Sequence, residues 1–193
     1  MRRAPLKRNQ VLPFIAQCPP CLIGMEACSS SHYWAKVLTD LGHQVCLIAP
    51  QFVTPYVKSN KNDRNDAEAI CEAVSRPTMR FVPMKTVEQQ SILMVHRTRA
   101  LIVRQRTMAA NALRAHLAEF GLVANPGIAN LVKMSDKAFA DATLPPYGHR
   151  ALEILIRRMA ELTDEICALD EELKAWHASN EASRRLAAIP GIG

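Results

Sequence analysis

No acidic residue falls between Ser91 and Ala118, a stretch that holds Arg97, Arg99, Arg104, Arg106 and Arg114. Without acids nearby in sequence to neutralise them, these arginines are the candidate contact for an anion. No apolar run approaches the ~20 residues that a membrane helix needs. Val11 to Met25 comes nearest, and Pro13, Pro19 and Pro20 interrupt it. A signal peptide is not visible, so the chain is expected to be soluble and cytoplasmic, with no membrane partner. Cys18 and Cys21 have C-x-x-C spacing, but no second C-x-x-C or H-x-x-x-H pair follows, which argues against zinc. Two prolines and an apolar stretch after Cys18 also deny it the helix start of a thioredoxin-type motif. Several of the six cysteines lie in apolar runs such as CLIGMEAC and VCLIAP, and the cysteines are expected to be free, buried small hydrophobes.

What is present fits one full domain, or a small domain with an extension, in 193 residues. A hydrophobic content of 49% is ample for a core, and the net charge of +6 favours an anionic partner, nucleic acid first. The charge is uneven. Arg2, Arg3, Lys7 and Arg8 make a basic start, whereas Glu161, Asp164, Glu165, Asp170, Glu171 and Glu172 make the last third acidic.

Residues 9–17 read as a short helix, with Pro13 against it. The run CLIGMEA (21–27) reads as a buried strand, SHYWAKVLTDLG as an amphipathic helix ending at Gly42, and VCLIAP (45–50) as a second strand stopped by Pro50. A strand–helix–strand unit of this kind predicts a parallel sheet. PQFVTPYV reads as irregular, residues 63–75 as a helix, and 80–82 as a last short strand. Residues 86–120 contain no Gly or Pro and end at Gly121, which predicts one long helix. A segment marked by Pro126, Gly127, Pro145 and Pro146 follows. Then Leu152, Leu155, Met159, Leu162, Ile166, Leu169, Leu173 and Trp176 recur at spacings of 3, 4, 3, 4, 3, 4 and 3, an apolar heptad stripe. Residues 86–120 are expected to pack against 148–177 as a helical hairpin, within one chain or between chains. The chain closes on IPGIG, which resembles the turn of a helix-hairpin-helix.

The acidic residues carry the chemistry. In KSNKNDRNDAEAI (58–70), Asp63 and Asp66 sit three apart where a polar run becomes helical. One reading is helix capping, because Asp is favoured at a helix start. The other is a metal site, because a spacing of three puts both carboxylates on one helix face, within reach of one cation. Glu26 ends the apolar run CLIGM, and sites in parallel sheets form outside the carboxyl ends of the strands. Lys58, Lys61 and Arg64 flank the pair and are placed to follow a phosphate backbone. Carboxylates suit Mg²⁺, the ion of phosphodiester chemistry. Both readings stay open on the residues alone.

The stretches GMEAC (24–28), HYWA (32–35), LIAPQFV (47–53) and KSNKNDRNDAEAI (58–70) are similar to transposases of the insertion-sequence-110 family, and the resemblance extends from about residue 9 to Gly193. The resemblance implies an RuvC-like (RNase H-type) domain with four acidic metal ligands in the order D, E, D, D. Glu26 matches the second, Asp63 the third and Asp66 the fourth, with Mg²⁺ as their cofactor. It also implies a helical coiled-coil region, then a C-terminal domain that begins near an IPGIG element and carries a serine nucleophile. Members recombine DNA, some are guided by a structured RNA, and they work as multimers. Two departures stand out. The opening MRRAPLKRNQ has no G-x-D for the first aspartate, and the chain stops where the serine domain begins; Ser29 to Ser31 read as helix caps.

The expected fold is therefore α/β plus α: an incomplete RNase H/RuvC-like sheet domain (1–83), a long antiparallel helical hairpin or coiled coil (86–178), and the start of a truncated helix-hairpin-helix-like domain (179–193). The expected function is that of a DNA transposase fragment with catalytic and metal residues Glu26, Asp63 and Asp66, inactive alone, a homo-oligomer that meets DNA and a guide RNA, and nucleoid-associated when bound. Two alternatives stand beside it. One is a nucleic-acid binding module that uses Lys58, Lys61, Arg64, Arg97, Arg99, Arg104 and Arg106 without catalysis. The other is an inert remnant.

Overall fold

Pro13 does not prevent the first helix. In the computed structural model, which describes residues 5–58, 62–140 and 144–191, α1 spans Arg8–Ile15 with Pro13 inside it. Gln10 closes its start by accepting the Lys7 N–H at 2.9 Å. The chain divides into two compact units, Met1–Thr86 and Val87–Gly193.

The first unit is built on a three-stranded sheet of order β1-β2-β3. Strand β1 (Leu22–Glu26) pairs in parallel with β2 (Gln44–Ile48), in a register that sets Leu22 opposite Gln44 and Glu26 opposite Ile48. Helix α2 (Ser31–Asp40) makes the crossover and buries Ala35 and Leu38. It ends where Gly42 takes φ +90°, a left-handed conformation that glycine adopts without a Cβ penalty, while the Gly42 N–H reaches Thr39 O at 2.8 Å. The third strand, β3 (Phe81–Val82), runs antiparallel to β2, so the sheet is mixed rather than wholly parallel. Two residues carry too little pattern to fix a direction.

PQFVTPYV, expected to be irregular, forms a short helix α3 (Pro50–Val53) and a 3₁₀ turn at Thr54–Tyr56. Pro50 opens the first and Pro55 is the second residue of the other, since proline's fixed φ is already helical and its missing N–H is not needed there. Helix α4 (Asp63–Val74) buries Ala69 and Ala73 with Ile48 and Val53. It lies so close to β1 that a Cβ built on Gly24 would sit 3.0 Å from both Ile70 Cγ2 and Val74 Cβ. Glycine at this position lets strand and helix meet.

The second unit is helical: α5 (Val87–Glu119), α6 (Ile128–Ala140), α7 (Pro146–Ser179) and α8 (Glu181–Ala187). Helices α5 and α7 pack antiparallel. Near one end the Trp176 indole N–H donates to Glu88 Oε1 at 3.1 Å, and near the other Leu113 and Leu117 share a core with Leu152. All eight residues of the heptad stripe on α7 are buried or half-buried, and burial is most complete at Leu152, Met159, Leu162 and Ile166. The pair is not a simple hairpin. Helix α6 comes between them in the chain and adds Leu131 and Ala138 to the same core. Ser135, fully buried on α6, donates its hydroxyl to Leu131 O at 2.9 Å. IPGIG follows α8, and its last two residues lie outside the described residues. No helix among the described residues is long and apolar enough to cross a membrane.

The cysteines depart from expectation. None of the six is disulfide-bonded and none is buried; Cys21, Cys28, Cys71 and Cys167 are exposed, Cys18 and Cys46 half-buried. The strands that carry Cys46 and flank Cys21 are themselves only partly covered, so an apolar run does not guarantee burial here.

Candidate metal and nucleic-acid site

Glu26 is the last residue of β1 and half-buried. Its backbone is held at the end of the parallel pair, where Cys28 N–H reaches Glu26 O at 2.9 Å and the adjacent Ala27 N–H reaches Ile48 O at 2.7 Å. Asp63 and Asp66 lie in the first turn of α4, the former exposed and the latter half-buried. Neither caps the helix. The N-cap is Asn62, whose side-chain oxygen accepts the Asn65 N–H at 2.9 Å. The capping reading of the two aspartates is thereby corrected. Asparagine is as good a cap as aspartate, and it precedes them.

The side chains of Glu26, Asp63 and Asp66 make no hydrogen bond or ion pair with another described residue. All three are carboxylates, the donor type that hard cations such as Mg²⁺ take. Among the described residues no group of three or more His, Cys, Asp or Glu side chains is gathered closely enough to hold a metal ion. The donors fit Mg²⁺ in kind and not in number.

The basic residues divide. Lys58 pairs with Glu72 at 3.4 Å, and Arg76 joins the same carboxylate from one helical turn on; the Arg76 hydrogen bond, then Lys58, holds the Glu72 carboxyl below its ordinary range. Lys61 lies outside the described residues, and Arg64 is exposed on α4. On α5, Arg99 is turned toward α7. There its guanidinium forks onto both carboxylate oxygens of Asp170, with Nε on Oδ1 and the second contact, to Oδ2, at 3.2 Å. That hydrogen bond holds the Asp170 carboxyl below its usual range and raises Arg99, and the half-buried Arg106 adds a smaller effect on Asp170. Arg97 and Arg104 are exposed. With Met94, Leu101 and Met108, also exposed, they form an alternating stripe on the outer face of α5.

Two basic contacts were not legible in the sequence. Arg8 of α1 sits over the Trp34 ring at 5.5 Å. The Lys85 N–H lies 3.3 Å from His32 Nδ1, and Lys85 Nζ lies 3.1 Å from His32 Nε2. The second pair is separated by 53 residues, a distance over which spacing carries no information.

A transposase family profile, of the DEDD insertion-sequence-110 type, matches residues 7–121, more than half of the chain and all three carboxylates. The transposase for insertion sequence element IS1328 of Yersinia enterocolitica is 46% identical over 191 residues, which is 99% of this chain and 57% of that protein. The transposase for insertion sequence element IS1111A of Coxiella burnetii is 39% identical over 190 residues, 97% of this chain and 52% of that one. The chain thus spans about half the length of the curated relatives it matches. No solved structure matches. On the extent of the profile match, with carboxylates at the end of β1 and in the first turn of α4, the chain belongs to the insertion-sequence-110 family of transposases.

Proposed function

We propose that this chain supplies the cation- and DNA-binding portion of an insertion-sequence transposase, with an RuvC-like arrangement of the first unit. Glu26, Asp63 and Asp66 are its metal-ligand positions and its contribution to catalysis, and Mg²⁺ is the ion. The observation that supports this most is the state of the carboxylates. Glu26 and Asp66 are half-buried, yet neither their side chains nor that of Asp63 bonds to a described residue, and Asn62 has taken over the capping work. Carboxylate oxygens without a protein partner are open to a cation, and hard divalent ions take such oxygens. When bound, Mg²⁺ supplies charge stabilisation at a phosphodiester. The residues present hold part of a ligand set, so the chain alone binds DNA without transferring strands.

The test is thermal melting of the purified chain with and without Mg²⁺ or Mn²⁺. A rise in melting temperature that is lost in Glu26→Gln and Asp66→Asn is expected. An equal rise in those variants, or none in the parent chain, removes the metal assignment.

A second reading has its own support. Arg97 and Arg104 stand exposed seven residues apart on α5, and such a face binds a phosphate backbone, of DNA or of a guide RNA, without any metal. The apolar residues Val87, Met94, Leu101 and Met108, exposed on that helix at intervals of seven, support a coiled-coil contact between copies as well. A cooperative melt of the chain would set aside the inert-remnant alternative.

A further inference from the structure

Helix α1 buries none of its residues. It lies beside the start of α2, and a groove of about 760 Å³ opens between them, with Arg8, Leu12 and Pro13 on one side and Ser30, Tyr33 and Trp34 on the other. Ligand sites have volumes of about 300–1,000 Å³. Among the described residues no acidic side chain lines this one.

The aromatic side of the groove is open to solvent. Ala35 and Leu38 take the inward face of α2, whereas Tyr33 is 57% exposed and Trp34 half-buried. The two rings meet edge to face, with centroids 5.6 Å apart and planes at 77°. Rings set nearly at a right angle make a corner, and a flat heterocycle laid on one presents its rim to the other.

Charge is the second, independent observation. The Arg8 guanidinium sits 5.5 Å over the Trp34 ring and forms no ion pair with a described residue. A guanidinium stacked in this way keeps its N–H donors at its rim, free for an anion. Lys7 precedes it in sequence, and Arg2 and Arg3 precede both. Ser30, expected to act as a cap, caps no amide, so its hydroxyl is left at the groove.

We propose that the groove between α1 and α2 holds an unpaired base of single-stranded DNA, stacked on Tyr33 and Trp34, with the adjoining phosphate at Arg8. A nucleotide is a flat ring joined to an anion, and the groove sets an aromatic corner beside a cation without a carboxylate. A proline-rich peptide would use the rings and leave the arginine idle. Every base has a π face, so such a platform accepts any sequence. In a duplex those faces are covered by neighbouring pairs, and the groove therefore selects unpaired DNA. This inference rests on the DNA-binding reading above and adds to it the form of the DNA and the side chains that meet it.

The test is a fluorescence titration of the full chain carrying Trp176→Phe, which leaves Trp34 as the only tryptophan. If that variant does not fold, the Trp34 indole N–H resonance of the parent chain is followed instead. The probes are a short oligothymidylate, the same backbone without bases, the corresponding oligouridylate and a proline-rich peptide. Saturable quenching by oligothymidylate is expected, and none by the abasic strand. Tyr33→Ala, at an exposed position, is expected to weaken binding roughly tenfold, as the loss of one base–aromatic stack implies. Arg8→Gln is expected to flatten the dependence of log affinity on log salt by about 0.7. Equal quenching by the abasic strand overturns the stacking site, as does unchanged affinity in Tyr33→Ala or an unchanged slope in Arg8→Gln. A response to oligouridylate alone, or to the peptide alone, overturns the assignment to DNA. Anisotropy of labelled single-stranded and duplex DNA separates the two readings. Binding without any change at Trp34 removes the groove and leaves the DNA-binding reading standing, whereas no binding of either form removes both.

Discussion

Asn62 Oδ1 accepts the Asn65 N–H at 2.9 Å, and the Asn62 carbonyl accepts the Asp66 N–H at 3.0 Å. One residue thus starts α4 through both its side chain and its backbone. Replacing it by alanine is expected to cost about 1 kcal/mol of stability, the usual effect of removing a cap. Asp66→Asn, in the absence of metal, is expected to cost only about 0.5 kcal/mol, from a weakened interaction with the helix dipole. Urea melts of the two variants check this. A larger effect at Asp66 would mean that its carboxylate holds the helix rather than waiting for a cation.

Gly24 makes a different demand. Because a Cβ there would meet Ile70 and Val74 at 3.0 Å, Gly24→Ala is expected to destabilise the first unit by about 1–3 kcal/mol through overpacking. Adding Val74→Ala to it should recover part of that stability, since the two changes occupy the same space and are not additive. Simple additivity in chemical denaturation would show that β1 and α4 are not in close contact at this point.

The Arg99–Asp170 fork predicts a pH dependence. Asp170 has its folded pKa lowered, first by the Arg99 hydrogen bond. The unfolded chain therefore takes up a proton at this group before the folded chain does. Its contribution is fully present above the ordinary aspartate value of about 4 and is lost as pH falls through the lowered folded value. Asp170→Asn should therefore melt below the parent chain at neutral pH, and the gap should close in strong acid. A gap that stays constant or widens on acidification contradicts the assignment.

Exposed and engaged arginines should also separate in nucleic-acid binding. Removing one cation that neutralises a phosphate flattens the dependence of log affinity on log salt by about 0.7–0.9. Arg97→Gln and Arg104→Gln are each expected to show that change while melting as the parent does. Arg99→Gln should lower the melting temperature and leave the slope nearly unchanged. Equal slopes across all three variants would remove the outer face of α5 from the binding surface.

Strong periodicity made the long helices legible. The stripe from Leu152 to Trp176 is the buried face of α7, and the absence of Gly and Pro from 86–120 marks α5. Helix α6 was hidden, for two physical reasons. Pro126, Gly127, Pro145 and Pro146 bracket its thirteen residues, and its buried side includes Ser135 and Ala138, which give little apolar contrast. The direction of β3 was unreadable in two residues. At the candidate site, the sequence placed Glu26 at a strand end and the two aspartates at a helix start. It did not show that Asn62 would be the cap, because several polar residues there compete for that position. Nor did it bring Lys85 to His32, since that contact exists only once β3 has returned the chain to α2.

Strand β2 is paired on both sides, with β1 in parallel and with β3 antiparallel, and Ile48 at its end is fully buried. Its amides should therefore be the last in the first unit to exchange with deuterated water, opening only when the unit unfolds as a whole. Strand β1 has a ladder on one side within this sheet and lies at its rim. Its amides are expected to exchange before those of β2, so the strand that carries Glu26 would open first while β2 keeps the fold in place.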